Sequence, residues 1–477
     1  MHLWRHICAG MVGLAVLAGC AARDVGPINT PVERALAGSP EFIPDPGDDG
    51  STLVGLAFSG GGMRASAFAY GVLQGLDEIV IDEKPYRRTL VDDVRTVAGT
   101  SGGSVVAAYL GYKGKDGYGD FRERFLLQNP EAYMSTSLLS PAALTRAFSG
   151  GMNDRSGLAR WLDERLFEGA TFEAMKGGDR PIVWITASDI YNNTPFLFTY
   201  DTFAALCSDL DQLKVADAVA ASAAFPVAFM PLRLDTPQKD CAYERPVWLT
   251  DALGSTRTPL RLQAYARALE TYRNGETLKH VRLLDGGLTD NIGVTGLALE
   301  RASATTPYGP LSRAEAVKIR NFLFIVADAG LSTDYAWGAN RTGPGLPSVM
   351  RAVSDTAISA ATRNGFDALD LALEQWRDEL IRFRCGLPAE EVRRHRGTLA
   401  GWNCRDVKIV TEHLSFRDAA PEERKKLNAV PTRLRLEPDQ IDLVVEAGRS
   451  AVLGNAGVQA VSRETTRHAG VRRQADD

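Results

Sequence analysis

The chain has 477 residues, of which 45% are hydrophobic and 24% charged, and 54 basic against 59 acidic side chains give a formal net charge of −5. That balance is globular, excludes long disorder or a fibrous repeat, and lacks the basic footprint of a nucleic-acid binder. The six histidines (His2, His6, His280, His395, His413, His468) are scattered and no Cys/His cluster has zinc-ligand spacing, so no metal site is expected.

Residues 1–19 read as an address rather than as fold. A short basic start with His2, Arg5 and His6 precedes a run of apolar or small residues from Ile7 to Gly19. The run is too short to span a bilayer, which takes ~20 residues, and fits the apolar region of a secretory signal. It ends in Leu17-Ala18-Gly19-Cys20, which resembles a bacterial lipobox, whose cysteine becomes a lipidated N-terminus. A plain signal peptide, or a cysteine buried in a weak helix, is the alternative. Ala21, by resemblance to sorted lipoproteins, points to the outer membrane. Pro27, Pro31, Pro40, Pro44, Pro46 and the Gly47-Asp48-Asp49-Gly50 run predict an extended tether over residues 20–50. Export permits disulfides. Without Cys8 and Cys20, four cysteines remain, and nearest neighbours, Cys207 with Cys241 and Cys385 with Cys404, are the expected pairs, against four free buried thiols.

From residue 51 to 454, strand and helix signals alternate. Thr52 to Phe58 is a buried-strand pattern, and Ala65 to Leu76 follows at helical spacing. Val94 to Ala98 is a second strand, and Ser104 to Tyr112 a helix. Pro181 to Ala187, Val281 to Leu284, Phe322 to Ala327 and Val407 to Thr411 are further strands. The repetition predicts an α/β fold with a mostly parallel sheet and helices on both faces. Two helical insertions interrupt it, residues 113–175 and 331–402. In the second, Phe366, Leu369, Leu373, Trp376, Leu380 and Phe383 form one helical face expected to pack on the sheet rather than in a dimer seam. Phe196, Phe198, Tyr200 and Phe203 are expected in the core rather than in an acyl pocket. Residues 455–477, with Arg463, Arg467, Arg472 and Arg473, are expected as a polar, frayed tail.

Three motifs carry chemistry. Gly99-Thr100-Ser101-Gly102-Gly103 fits G-x-S-x-G between a strand and a helix. A serine at so sharp a turn has its hydroxyl pushed out of the sheet, and its flanking glycines let the chain turn. The helix N-terminus behind it presents N–H groups to developing negative charge. Ser59-Gly60-Gly61-Gly62-Met63-Arg64 also lies between a strand and a helix. Its glycines allow close backbone approach and form an anion cradle, with Arg64 fixing the loop or adding charge. Neither G-x-x-x-x-G-K-[ST] nor G-x-G-x-x-G spacing is present, which argues against a nucleotide. Leu284-Asp285-Gly286-Gly287 puts a carboxylate at a strand end. Serine needs a base, and an aspartate serves if burial raises its pKa. His280 reads as structural, and His413 is the rival base.

Together these motifs resemble the patatin-like phospholipases. Ala221 to Pro231, a small-residue helix running into a proline-bounded strand, and Asn291, six residues past Asp285, fit that family too. The resemblance spans residues 52–330. It implies a three-layer α/β/α fold and a Ser–Asp dyad without histidine. Ser101 is then the nucleophile and Asp285 the base. Gly60, Gly61 and Gly62 form the oxyanion loop, with Gly61 and Gly62 the favoured donors, supported by Arg64, Gly99 and Gly103. The implied substrates are acyl esters of membrane lipids, without metal or cofactor. The loop begins with Ser59 where the family often has Asp or Gly. An acyltransferase using the same acyl-enzyme, and an inactive lipid-binding protein on the same fold, are the alternatives. Leu138, Leu139, Ala142, Ala143, Leu144 and Phe148 suggest either a lid that dips into membrane or a buried helix.

Overall fold

A computed structural model describes residues 26–34, 50–84, 87–133, 156–177, 180–226, 229–237, 241–331, 336–339, 341 and 343–476. The signal, Cys20, most of the tether and the cluster from Leu138 to Phe148 lie outside the described residues. The strands are β1 (Thr52–Phe58), β2 (Val80–Asp82), β3 (Arg88–Thr89), β4 (Val94–Thr100), β5 (Ile182–Asp189), β6 (Thr194–Leu197), β7 (Leu232–Asp235), β8 (His280–Asp285), β9 (Asn321–Asp328) and β10 (Lys408–Ser415). The helices that frame the site are α1 (Gly62–Glu78), α2 (Gly102–Lys113), α3 (Val215–Ser222), α4 (Thr295–Ser303), α5 (Leu346–Cys385), α6 (Pro438–Gly454) and α7 (Ala456–Asp476).

Eight strands form one mixed sheet in the order β10-β9-β1-β4-β5-β8-β7, with β6 also paired to β5. The run from β10 to β5 is parallel, whereas β6 and β8 lie antiparallel to β5, and β7 to β8. Alternation along each strand builds two cores. Val54, Leu56 and Phe58 of β1, with Leu323 and Ile325 of β9, face α1, α2 and α6. Leu53 and Ala57, with Phe322 and Phe324, face α5. The result is a three-layer α/β/α fold.

The apolar face of α5 packs on the sheet: Leu369, Leu373, Trp376 and Leu380 are buried, and the Trp376 ring meets Phe322 edge-on at 5.6 Å. Among the described residues of 113–175 are short helical segments at Tyr118–Asp120, Arg122–Leu126, Pro130–Tyr133, Ser156–Leu162, Asp163–Phe167 and Phe172–Met175. A further helical segment, Val247–Gly254 and Leu260–Arg273, separates β7 from β8 and has no counterpart in the sequence reading. Cys207 is bonded to Cys241, and Cys385 to Cys404. The expected frayed tail is corrected: residues 456–476 are helical. Val458 and Val461 are buried, and Thr465 Oγ1 lies 2.9 Å from Thr52 Oγ1. Two valines and a threonine at spacings of three and four suffice for a buried stripe among polar neighbours.

Candidate active site

β4 ends at Thr100 and α2 begins at Gly102, so Ser101 alone makes the turn. Its φ of 52° and ψ of −122° are costly for a residue with a side chain. The surroundings hold it there. The Ser101 N–H donates to Ser222 Oγ at 2.8 Å, and the Ser222 hydroxyl donates to the Thr186 carbonyl at 2.6 Å. The Ser101 carbonyl accepts from the Ser104 hydroxyl at 2.6 Å. A Cβ at Gly99 would lie 2.6 Å from Gly103 O, and one at Gly103 2.5 Å from Phe58 O, so neither position admits a side chain.

Asp285 reaches the serine because β8 meets β4 end to end along β5. Thr100 pairs with Thr186, and Asp285 pairs with the next residue, Ala187. Ser101 Oγ donates to Asp285 Oδ2 at 2.7 Å, while the Gly287 N–H donates to Oδ1 at 2.8 Å. The Asp285 backbone is fixed by Ser188 Oγ on its carbonyl and by Ala224 O on its N–H. Burial pushes the carboxyl pKa up to about 6, with the Gly287 and Ser101 hydrogen bonds pulling the other way. Such a group is ionised at neutral pH yet basic enough to take a proton.

The glycine loop lies against the serine. A Cβ at Gly60 would sit 2.7 Å from Asn291 Oδ1 and 3.4 Å from Ser101 Cβ, and one at Gly102 2.0 Å from Gly62 O. Gly60 is a correction within the expected oxyanion set, because its N–H donates to Asn291 O at 2.8 Å and is not available. Gly61 (φ 139°) and Gly62 (φ 62°) are turned by their backbone, and their N–H groups have no acceptor among the described residues. Arg64 is a clamp. Its Nε donates to Ala329 O at 3.1 Å, and its Nη1 to Val430 O at 3.0 Å and Thr432 Oγ1 at 2.7 Å. Burial lowers its pKa to about 10, against the pull of Asp328.

His413 is not brought to the serine. It lies on β10, three strand spacings (~14 Å) from β4 in the sheet order. Its Nε2 faces Asp328 Oδ2 at 3.3 Å. Burial works to raise the Asp328 pKa, but His413, the Gly330 N–H and the Ser59 hydroxyl hold it below the usual value. Ser59 Oγ also accepts from the Ala329 N–H at 2.9 Å, so this group braces the start of the glycine loop. His280 is exposed and faces Asp235 at 2.8 Å.

Phe196, Phe198 and Phe203 are buried, the first two in edge-on contact at 5.1 Å. Phe198 and Tyr200 also line an apolar cavity of about 260 Å³ with Ile182 and Trp184. It lies at the start of β5, the end remote from Ser101. Sequence reasoning missed Ser222, which pins the serine turn, and Asp290, whose carboxylate accepts from the Val294 and Thr295 N–H groups and whose carbonyl accepts from Thr100 Oγ1. Ser222 lay within a quoted small-residue run, but nothing in its spacing distinguishes a pin from a packing serine.

No curated protein matches the sequence. Among solved structures, human GIVD cytosolic phospholipase A2 aligns at 13% identity over 88% of this chain and 63% of its own, with a TM-score of 0.45. Its complex with methyl gamma-linolenyl fluorophosphonate aligns at 14% identity over 88% and 60%, TM-score 0.39. VipD from Legionella pneumophila aligns at 12% over 92% and 71%, TM-score 0.28. The chain thus spans less than two thirds of the human enzyme. The family model for patatin-like phospholipase matches residues 56–298, just over half of the chain and all three motifs. With the glycine loop, the serine turn and the aspartate strand all inside that match, the chain belongs to the patatin-like phospholipase family.

Proposed function

We propose that this chain is a serine acyl hydrolase that cleaves fatty-acyl esters of phospholipids or lysophospholipids. The observation that carries the reading is the 2.7 Å hydrogen bond from Ser101 Oγ to a buried Asp285 with raised basicity. Ser101 Oγ attacks the ester carbonyl while Asp285 takes its proton. The carbonyl oxygen becomes an oxyanion facing the Gly61 and Gly62 N–H groups. The intermediate collapses to an acyl-serine, and Asp285 returns its proton to the departing alkoxide. Water then attacks the acyl-serine with Asp285 again as base, releasing the fatty acid and restoring the Ser101 hydroxyl. No step calls for a metal.

An alkyl fluorophosphonate tests this reading, because it phosphonylates only an activated serine. Stoichiometric labelling at Ser101 is expected, lost in Ser101→Ala and in Asp285→Asn. Undiminished labelling of Ser101→Ala would overturn it. We also propose that the chain is held on the outer membrane by lipidated Cys20. Palmitate incorporation should be abolished by Cys20→Ala, and incorporation that survives the substitution would refute the anchor.

A further inference from the structure

The long helix α5 has two unlike halves. From Gly365 onward it is built into the fold. Gly365 faces Val294 and Arg261, the Phe366 ring meets His413 at 5.2 Å, and the Trp376 ring meets Phe322. His413 pairs with Val326, whereas Phe322 lies four residues earlier on β9. The helix therefore climbs from the start of the strands toward their C-terminal ends as its numbering falls. Ser101 follows the C-terminal end of β4, which runs parallel to these strands. Residues 346–364 continue in that direction for ~28 Å, and no residue described in this half is buried.

This half is sparsely charged. Arg351, Asp355 and Arg363 are its only charged residues. Leu346 is 74% exposed, Val349 38% and Val353 60%, and their spacing of three and four places them on one stripe. Two more exposed apolar side chains belong to the walls of the site. Phe225 (56%) follows Ala224, whose carbonyl holds the Asp285 N–H. Leu288 (39%) ends the turn Gly286–Leu288 after Asp285, a turn that α5 touches. Leu260 (82%) adjoins Arg261, whose guanidinium lies at Gly365. Bulky apolar groups thus extend from residues next to Asp285 onto the exposed half of α5.

We infer that these groups, the α5 stripe included, form a surface that seats the catalytic edge on a phospholipid bilayer, with Leu346, Val349 and Val353 entering the lipid. The inference rests on the lipid-ester reading above, since such substrates are held in a bilayer and Ser101 is only 7% exposed. A second copy of the chain fits less well. At about 60–120 Å² for each aliphatic side chain, the stripe offers a few hundred Å², short of the ~800 Å² per partner that a stable interface buries. A bilayer has no such threshold, because each apolar group that enters the interface contributes separately.

The test is flotation of the full-length chain with vesicles of phosphatidylethanolamine and phosphatidylglycerol. Cys20→Ala is present throughout, so that no acyl group at that position adds to binding. The expected result is that Val349→Glu and Val353→Glu each weaken binding about tenfold or more. Leu346→Glu should act likewise, and Val353→Trp should strengthen binding, since an indole favours the interface. Hydrolysis of a soluble short-chain ester and phosphonate labelling of Ser101 should stay at wild-type levels, which also reports an intact fold. Equal flotation of wild type and the glutamate variants would overturn the inference, as would a wild type that does not float. So would a change from dimer to monomer in the glutamate variants by light scattering, which would assign the stripe to a second copy. Flotation does not depend on catalysis, so loss of phosphonate labelling in wild type would defeat the hydrolase reading while leaving this result legible.

Discussion

In the proposed mechanism the base Asp285 meets two opposed demands, burial and ionisation. The fold favours its protonated form, with the pKa pushed from 3.8 to about 6. Above pH 6 its charge works against folding, by about 3 kcal/mol at most, and that cost fades as pH falls from about 6 toward 4. As a base it must be ionised, so kcat/KM should fall tenfold per pH unit below about 6. Asp285→Asn separates the two demands. The amide can accept from Gly287 but cannot take a proton, so activity should drop by about 10³-fold or more. The variant should be more stable than wild type at pH 8 and no more stable near pH 4. Thermal unfolding at both values, with the pH–rate profile of wild type, checks this; an acid limb near pH 4 together with unchanged stability would contradict it.

At the scale of elements, the glycine loop is positioned from behind. α1 starts at Gly62 and lies in backbone contact with α6. A Cβ at Gly71 would lie 2.0 Å from Val445 O, and one at Gly448 2.2 Å from Phe68 O. The Met63 N–H also donates to Arg433 O at 2.7 Å. Gly448→Ala must push α1 and α6 apart, and overpacking of this kind costs ~1–3 kcal/mol. Because α1 carries the loop, kcat should fall with stability, while the Asp285 limb of the pH profile stays in place. Urea unfolding and a pH–rate profile on this variant report both effects; wild-type stability would contradict the close contact. The central strands were legible because β1 and β9 are short apolar runs closed by polar or glycine residues, and because β4, despite Arg95 and Thr96, runs into the glycines around Ser101. The α5 face was legible because its large side chains recur at three and four. The contact of α1 with α6 was not, since a helical glycine reads as a weak point until its partner is known. The segment Val247–Arg273 was missed for a similar reason: its exposed Val247, Leu253 and Leu260 blur the apolar face.

Over the whole molecule, the parallel strands of the mixed sheet set the site at their C-terminal ends. β4 delivers Ser101, the loop after β1 delivers Gly61 and Gly62, and β8 enters antiparallel to place Asp285 beside the serine. Strand-end position and residue type pointed to Ser101 and Asp285 in the sequence. The resemblance already favoured the Gly61 and Gly62 N–H groups; the loss of Gly60 from the set did not follow from the sequence, because it depends on where Asn291 O falls. Nor did the site of His413, whose strand pairs at the far edge of the sheet. The most direct test of the account is fatty-acid release from a panel of phospholipids and lysophospholipids, by mass spectrometry with chelator present. Wild type, Ser101→Ala, Asp285→Asn and His413→Ala would be compared. The account predicts release by wild type and by His413→Ala, and none by the other two. Release by Asp285→Asn with loss in His413→Ala would contradict it and put a histidine in the base's place.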